Sequence, residues 1–220
     1  MKALSKQPEP QALVTHGPTW TADYVAASGL SAREKKKFEH WGHPEIREAL
    51  TQETNGRCAY CEAHIGHVAY PHVEHILPKA LRADLAHDWH NLTSACEVCN
   101  KAKSDYWDPT HAVLNPYTDN VESRVIFWGD LVDWVAGDEQ AEVTIKKLKL
   151  NRFDLADRRR ARLLEVREML ERWATSQGAK RTVLAESIRL DAADGDFTRA
   201  VTAFLSSQGF PLSDADEDAA

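Results

Sequence analysis

No stretch of the sequence holds 18 consecutive apolar residues, which excludes a hydrophobic helix able to span a bilayer. Met1 to Pro10 has no apolar core of the kind a signal peptide needs, so no membrane association and a cytoplasmic location are expected. Positive charge is in short supply: 27 Lys and Arg stand against 34 Asp and Glu, a net charge of −7. A surface that grips bulk nucleic acid unaided carries the opposite balance. A local basic face, or a partner that supplies the grip, is compatible with it. Internal repeats and low-complexity blocks are absent, and 220 residues suffice for one domain with appendages or two small ones. Cysteines are scarce, and the four present fall into two pairs with none left over.

The first thirty residues, with Pro8, Pro10, Gly17 and Pro18, read as an irregular arm that Trp20 and Tyr24 pin down. Ser31 with Glu34 three residues on predicts a capping box and a helix to about His40. Gly42 ends it, and His43-Pro44 opens a second helix ending at Asn55-Gly56. A short strand is expected over Tyr70 to Ile76, a turn or strand from Asn91-Leu92, and a helix from Val98 to Lys103. Two β-rich runs, Val121 to Trp128 and Leu131 to Ala136, flank the hairpin signal Gly129-Asp130. Helices are expected at Glu142 to Leu150, Asp154 to Trp173, Ala179 to Leu190 and Phe197 to Leu205. The acidic end, 214–220, is expected to be disordered. These readings give four segments: 1–56 (arm and helices), 57–110 (cysteine-rich core), 111–213 (hairpin and helices) and 214–220 (acidic tail).

Cys58-Ala-Tyr-Cys61 and Cys96-Glu-Val-Cys99 are CxxC knuckles with 34 residues between them. Each can offer two thiolates to one tetrahedral ion, and four sulfurs favour zinc. With every position filled by protein, such a zinc is structural, with no open place for chemistry.

Between the knuckles lies Pro71-His72-Val73-Glu74-His75-Ile76-Leu77-Pro78-Lys79, then Asn91-Leu92, and Asn100 follows the last cysteine with Lys103 after it. This order of motifs, from about Arg57 to Asp105, resembles the HNH endonuclease family. The resemblance implies an α+β fold: a zinc-stabilised ββα-metal core with a helical N-terminal arm and a largely helical C-terminal region. It also implies phosphodiester hydrolysis. His75 can serve as the base that deprotonates water. Glu74 offers a hard carboxylate oxygen to Mg²⁺ or Mn²⁺, and Asn100 an amide oxygen to the same ion. Asn91 is expected to fix the orientation and tautomer of His75. Lys103 is expected at a phosphate, and Lys79 is either a phosphate contact or a solvated charge. Many family members have Asp or His where this chain has Glu74, and His where it has Asn100; both replacements keep an oxygen ligand.

The wider layout adds Trp89 to Leu92, Asn115-Pro116, the Phe127 to Leu131 hairpin, Thr144 to Asn151 and the run Arg158-Arg159-Arg160 with Arg162. It resembles the HNH nuclease subunits (PtuB type) of Septu anti-phage defence systems and the HNH proteins that accompany some retrons. That likeness implies an ABC/SMC-like ATPase partner and a nucleic acid substrate, with DNA expected. Two other readings stay open: a stand-alone restriction-type HNH nuclease, and a non-catalytic zinc module that binds protein or nucleic acid. The arginine run is equally open, as a phosphate-tracking helix, a protein-docking surface or a solvated face paired with Glu165, Glu168 and Glu171.

Overall fold

The computed structural model describes residues 1–65 and 71–213. The start of the expected strand at Tyr70, and the expected disordered tail at 214–220, lie outside the described residues. Among the described residues no helix is long and apolar enough to cross a membrane.

The N-terminal stretch is not irregular: α1 runs Gln11–Ala26. Pro10 stands just ahead of the first turn, where its missing N–H removes no intrahelical bond. Pro18 deprives the Val14 carbonyl of its donor, but Val14 is exposed, so water replaces it. Gly17 lies against the turn at His87, where a Cβ would stand 3.8 Å from the His87 carbonyl, an ordinary packing distance. Trp20 and Tyr24 do pin the segment. Trp20 stacks on His40 at 4.7 Å, and Tyr24 meets Trp41 edge-on at 5.2 Å. The Ser31–Glu34 capping box opens a short α2, Ala32–Lys35. Helix α3, Pro44–Glu53, has its proline in the first turn and gives way to Asn55 and Gly56 in the left-handed region. It buries Ile46 and Leu50 against Leu13, Trp89 and Leu92.

Strands β1, His72–His75, and β2, Leu92–Ala95, pair antiparallel with Glu74 opposite Thr93 and His75 opposite Leu92. Helix α4, Glu97–Lys103, follows at once and completes a ββα unit. Next come α5, Val121–Arg124, and the hairpin β3, Val125–Trp128, with β4, Leu131–Trp134. The expected strand from Val121 starts as a helical turn because the Asn120 side chain accepts from the Ser123 N–H. Helices α6, Glu139–Lys147, α7, Phe153–Ala174, α8, Gly178–Asp194, and α9, Thr198–Ser207, complete the order. One hydrophobic cluster joins the cysteines and Tyr60 to Leu114, Val125, Val132, Ile145, Leu148 and Leu155. Another packs Val166, Trp173, Ile188, Val201 and Leu205 between the last three helices.

The arginine run of α7 is mostly engaged within the fold. Arg159 is buried, donating to the carbonyls of Leu150 (3.1 Å) and Asp130, with Phe127 and Phe197 on either side. Arg160 pairs with Asp130 at 2.5 Å, and Arg162 pairs with Asp191 and Glu165. The run fastens α7 to the hairpin and to α8. Arg159→Met keeps most of the stem but strands two carbonyls; a loss of about 1–3 kcal/mol in denaturant unfolding is expected.

Acid sensitivity is built in on the N-terminal side. His87 accepts from the His40 N–H and contacts Thr21 Oγ1, and burial lowers its pKa from 6.5 to about 4. The unfolded chain therefore binds this proton first as pH falls from 6.5 to about 4. Stability is lost across that window, and His87→Gln should lessen the fall of the melting temperature with pH there.

Candidate active site beside a four-cysteine cluster

The first knuckle is a tight loop. Arg57 bridges His64, the Cys58 N–H reaches the Ala63 carbonyl at 3.0 Å, and the Glu62 N–H reaches the Cys58 carbonyl at 2.9 Å. Glu62 closes it in the left-handed region, φ 64°, held by the Met1 ammonium at 2.6 Å and the Arg199 N–H at 3.0 Å. The Ala59 N–H bonds the Ser94 carbonyl at 2.9 Å, tying the loop to β2. The second knuckle is the first turn of α4, where Cys96 Sγ accepts from the Cys99 N–H at 3.5 Å.

The four Sγ atoms lie within 4.8 Å of one another. Burial pushes the Cys58 thiol well up, whereas hydrogen bonds from the neighbouring thiols draw Cys61 and Cys96 down. Four thiolates at this spacing need a cation, and a closed set of soft sulfurs fits a structural zinc. Arg152 Nη1, 3.8 Å from Cys99 Sγ, donates to the excess negative charge of such a site.

The adjacent cleft is lined by Glu74, His75, Pro78, Lys79, Asn100 and Asp105, among others. It brings together four of the residues singled out in the sequence. Glu74 and His75 are buried at the end of β1. His75 Nε2 donates to the Ala86 carbonyl at 3.0 Å, which leaves Nδ1 with its lone pair. Trp41 packs edge-on against the imidazole at 4.8 Å. Burial, with Lys79 adding to it, lowers the His75 pKa to about 3, so the ring is neutral at physiological pH. Asn100 sits half-buried on α4, one residue beyond Cys99.

Two expected roles change. Among the described residues the Asn91 side chain makes no hydrogen bond to the His75 ring. Its Oδ1 accepts from the Leu77 N–H at 2.7 Å, and its Nδ2 donates to the carbonyls of Leu77 (3.0 Å) and Leu85 (3.1 Å). It stitches the loop after β1 to the turn that carries Ala86, and that carbonyl sets the tautomer. Lys103 is not poised for a phosphate. It is buried, with Nζ 2.7 Å from Glu74 Oε1 and donating to the His75 carbonyl at 2.8 Å. Burial pushes the Glu74 carboxyl up, and Lys103 opposes that shift.

Lys79 stays at the rim, its ammonium 5.4 Å from the Trp41 ring centre. Trp41 and Asp105 were not singled out in the sequence. A lone aromatic after a short helix carries no chemical signature, and Asp105 falls past the motif's last lysine. His72 is exposed at the far end of β1.

Purified protein is expected to hold about one zinc per chain by metal analysis. Cys58→Ser should lose the ion and cooperative melting, while His75→Ala should keep both.

Residues 58–106 match the family model described as HNH endonuclease. The chain is similar to a Septu protein PtuB of Bacillus thuringiensis, 30% identical over 115 residues, covering 52% of this chain and 44% of the relative. It is also similar to a Septu protein PtuB of Bacillus mycoides (strain KBAB4), 25% identical over 156 residues, covering 57% of this chain and 53% of the relative. The matches thus span about half the length of these curated relatives. The ββα unit, whose helix carries the second knuckle, thus lies in a segment similar to HNH endonucleases, on a chain similar to Septu proteins.

Proposed function

We propose that the chain is a metal-dependent endonuclease that hydrolyses phosphodiester bonds of DNA, working as the nuclease subunit of an anti-phage defence complex with an ABC/SMC-like ATPase. The observation that carries the reading is the meeting of Glu74, His75 and Asn100 in one cleft, with the His75 tautomer already assigned.

His75, neutral and bonded through Nε2 to the Ala86 carbonyl, takes a proton from water at Nδ1. Trp41 and the Ala86 carbonyl hold the ring, which leaves Nδ1 to accept that proton. Glu74 and Asn100 supply the hard oxygens suited to Mg²⁺ or Mn²⁺. When bound, that ion would offset charge on the phosphate and on the leaving oxygen. Lys103 is a positioning residue here: its ammonium fixes the Glu74 carboxylate and the carbonyl of His75 together. Lys79, at the rim, is placed for a phosphate.

The ATPase partner rests on the motif layout and on the likeness to Septu proteins. The net charge of −7 supports it, since a partner would supply DNA affinity and control.

Plasmid cleavage in Mg²⁺ or Mn²⁺ tests the reading. His75→Ala is expected to lower the rate about 10²- to 10⁴-fold with its zinc retained. Cutting at the wild-type rate by that variant overturns His75 as base. Failure of the wild type to cut with and without the ATPase leaves the non-catalytic zinc module in its place.

A further inference from the structure

A second concavity opens beyond Trp41, lined by Lys36, Glu39, Trp41, Arg47 and His72. Lys36, Arg47 and His72 are exposed, and Glu39 is the one carboxylate among these lining residues. Neither Lys36 nor Arg47 is ion-paired among the described residues. The Arg47 guanidinium lies close over Gly42, with Nη2 3.2 Å from where a Cβ would stand, so the missing side chain is what admits it.

This groove and the active cleft share two walls. Trp41 faces the groove and meets His75 edge-on. Strand β1 starts in the groove with His72 and ends in the cleft with Glu74 and His75. Three residues of extended strand cover about 10 Å. That is about three nucleotides of axial rise along one DNA strand.

We infer that the groove is the track of the nucleic acid backbone leading into the cleft, with phosphates flanking the scissile one held by Lys36, Arg47 and His72. The inference rests on the nuclease reading and adds where the substrate lies. Contacts of this kind position the backbone without reading sequence. The chain carries a net charge of −7, so a local cationic patch that meets the cleft through Trp41 also sets the direction of approach.

The test uses full-length protein carrying His75→Ala, so that the probe survives, and a labelled DNA duplex of arbitrary sequence. Binding is measured from about 50 to 200 mM salt. Adding Lys36→Ala and Arg47→Ala should weaken binding about tenfold or more at the lowest salt and reduce the slope of log K against log salt by about 1.8. Lys180→Ala, an exposed cation on α8, should change neither. Unchanged affinity and slope in the Lys36/Arg47 variant overturns the track, as does a His75→Ala chain that binds no duplex. Plasmid cutting is scored separately. If the Lys36→Ala/Arg47→Ala chain with His75 intact cuts at wild-type kcat/KM, the track fails and the nuclease reading stands. If the wild type binds but never cuts, the nuclease reading fails on its own evidence.

Discussion

Everything in the site traces to the convergence of four sulfur atoms. A six-residue loop and the first turn of a seven-residue helix meet in one hydrophobic cluster, but packing alone does not require four sulfurs within 4.8 Å of one another. Once they do, α4 is fixed relative to β2 through Cys96, and the knuckle is fixed to β2 through the Ala59–Ser94 bond. Helix α4 then carries Asn100 and Lys103 one turn apart, on a rigid rod whose origin is the cysteine cluster. Lys103 reaches across to β1 and takes hold of Glu74 and the carbonyl of His75. The cysteine cluster offers soft sulfur and the neighbouring cleft the hard oxygens of Glu74 and Asn100, and both share one mechanical frame.

The Glu74–Lys103 pair deserves its place for geometry more than for stability. Desolvating both charges offsets most of their attraction. The contact is ionic without good hydrogen-bond alignment, since Glu74 Oε1 has no properly directed donor even with the ammonium 2.7 Å away. Lys103 is better directed toward the His75 carbonyl. The pair therefore acts as a registration device, locking the last turn of α4 to the end of β1. A carboxylate held this way is buried beside a cation, which limits its rearrangement.

What was legible in the sequence were the features whose chemistry demands a residue type at a spacing. The two knuckles, Glu74-His75 at the end of a strand and Asn100 beside Cys99 all fall where such demands put them. The capping box at Ser31 and the turn at Gly129 were legible for the same reason. Illegible features depend on contact between distant segments. Pro18 looked like a breaker because its tolerance requires knowing that the opposite carbonyl is solvated. Asn91 looked like a partner of His75 because its three bonds run to backbone atoms of Leu77 and Leu85, which any residue supplies. Lys103 looked free because helical spacing shows which face it occupies, not that β1 covers that face. The arginines of α7 concealed their roles similarly, since their partners, Asp130 and Asp191, are remote in sequence.

The N-terminal helices belong to the site by the same reasoning. The imidazole of His75 is held by the Ala86 carbonyl, so the turn around Ala86 must itself be held. Asn91 secures it from one side. Helix α1 secures it from the other, where Gly17 packs by the His87 carbonyl and Thr21 meets the His87 ring. The segment 40–42 closes the arrangement: the His40 N–H donates to His87 Nε2, and Trp41 covers both His87 and His75. A ββα unit by itself would expose the face of His75 to water and leave Ala86 on a loose loop. With α1 and Trp41 in place the ring is desolvated, neutral and limited to one tautomer.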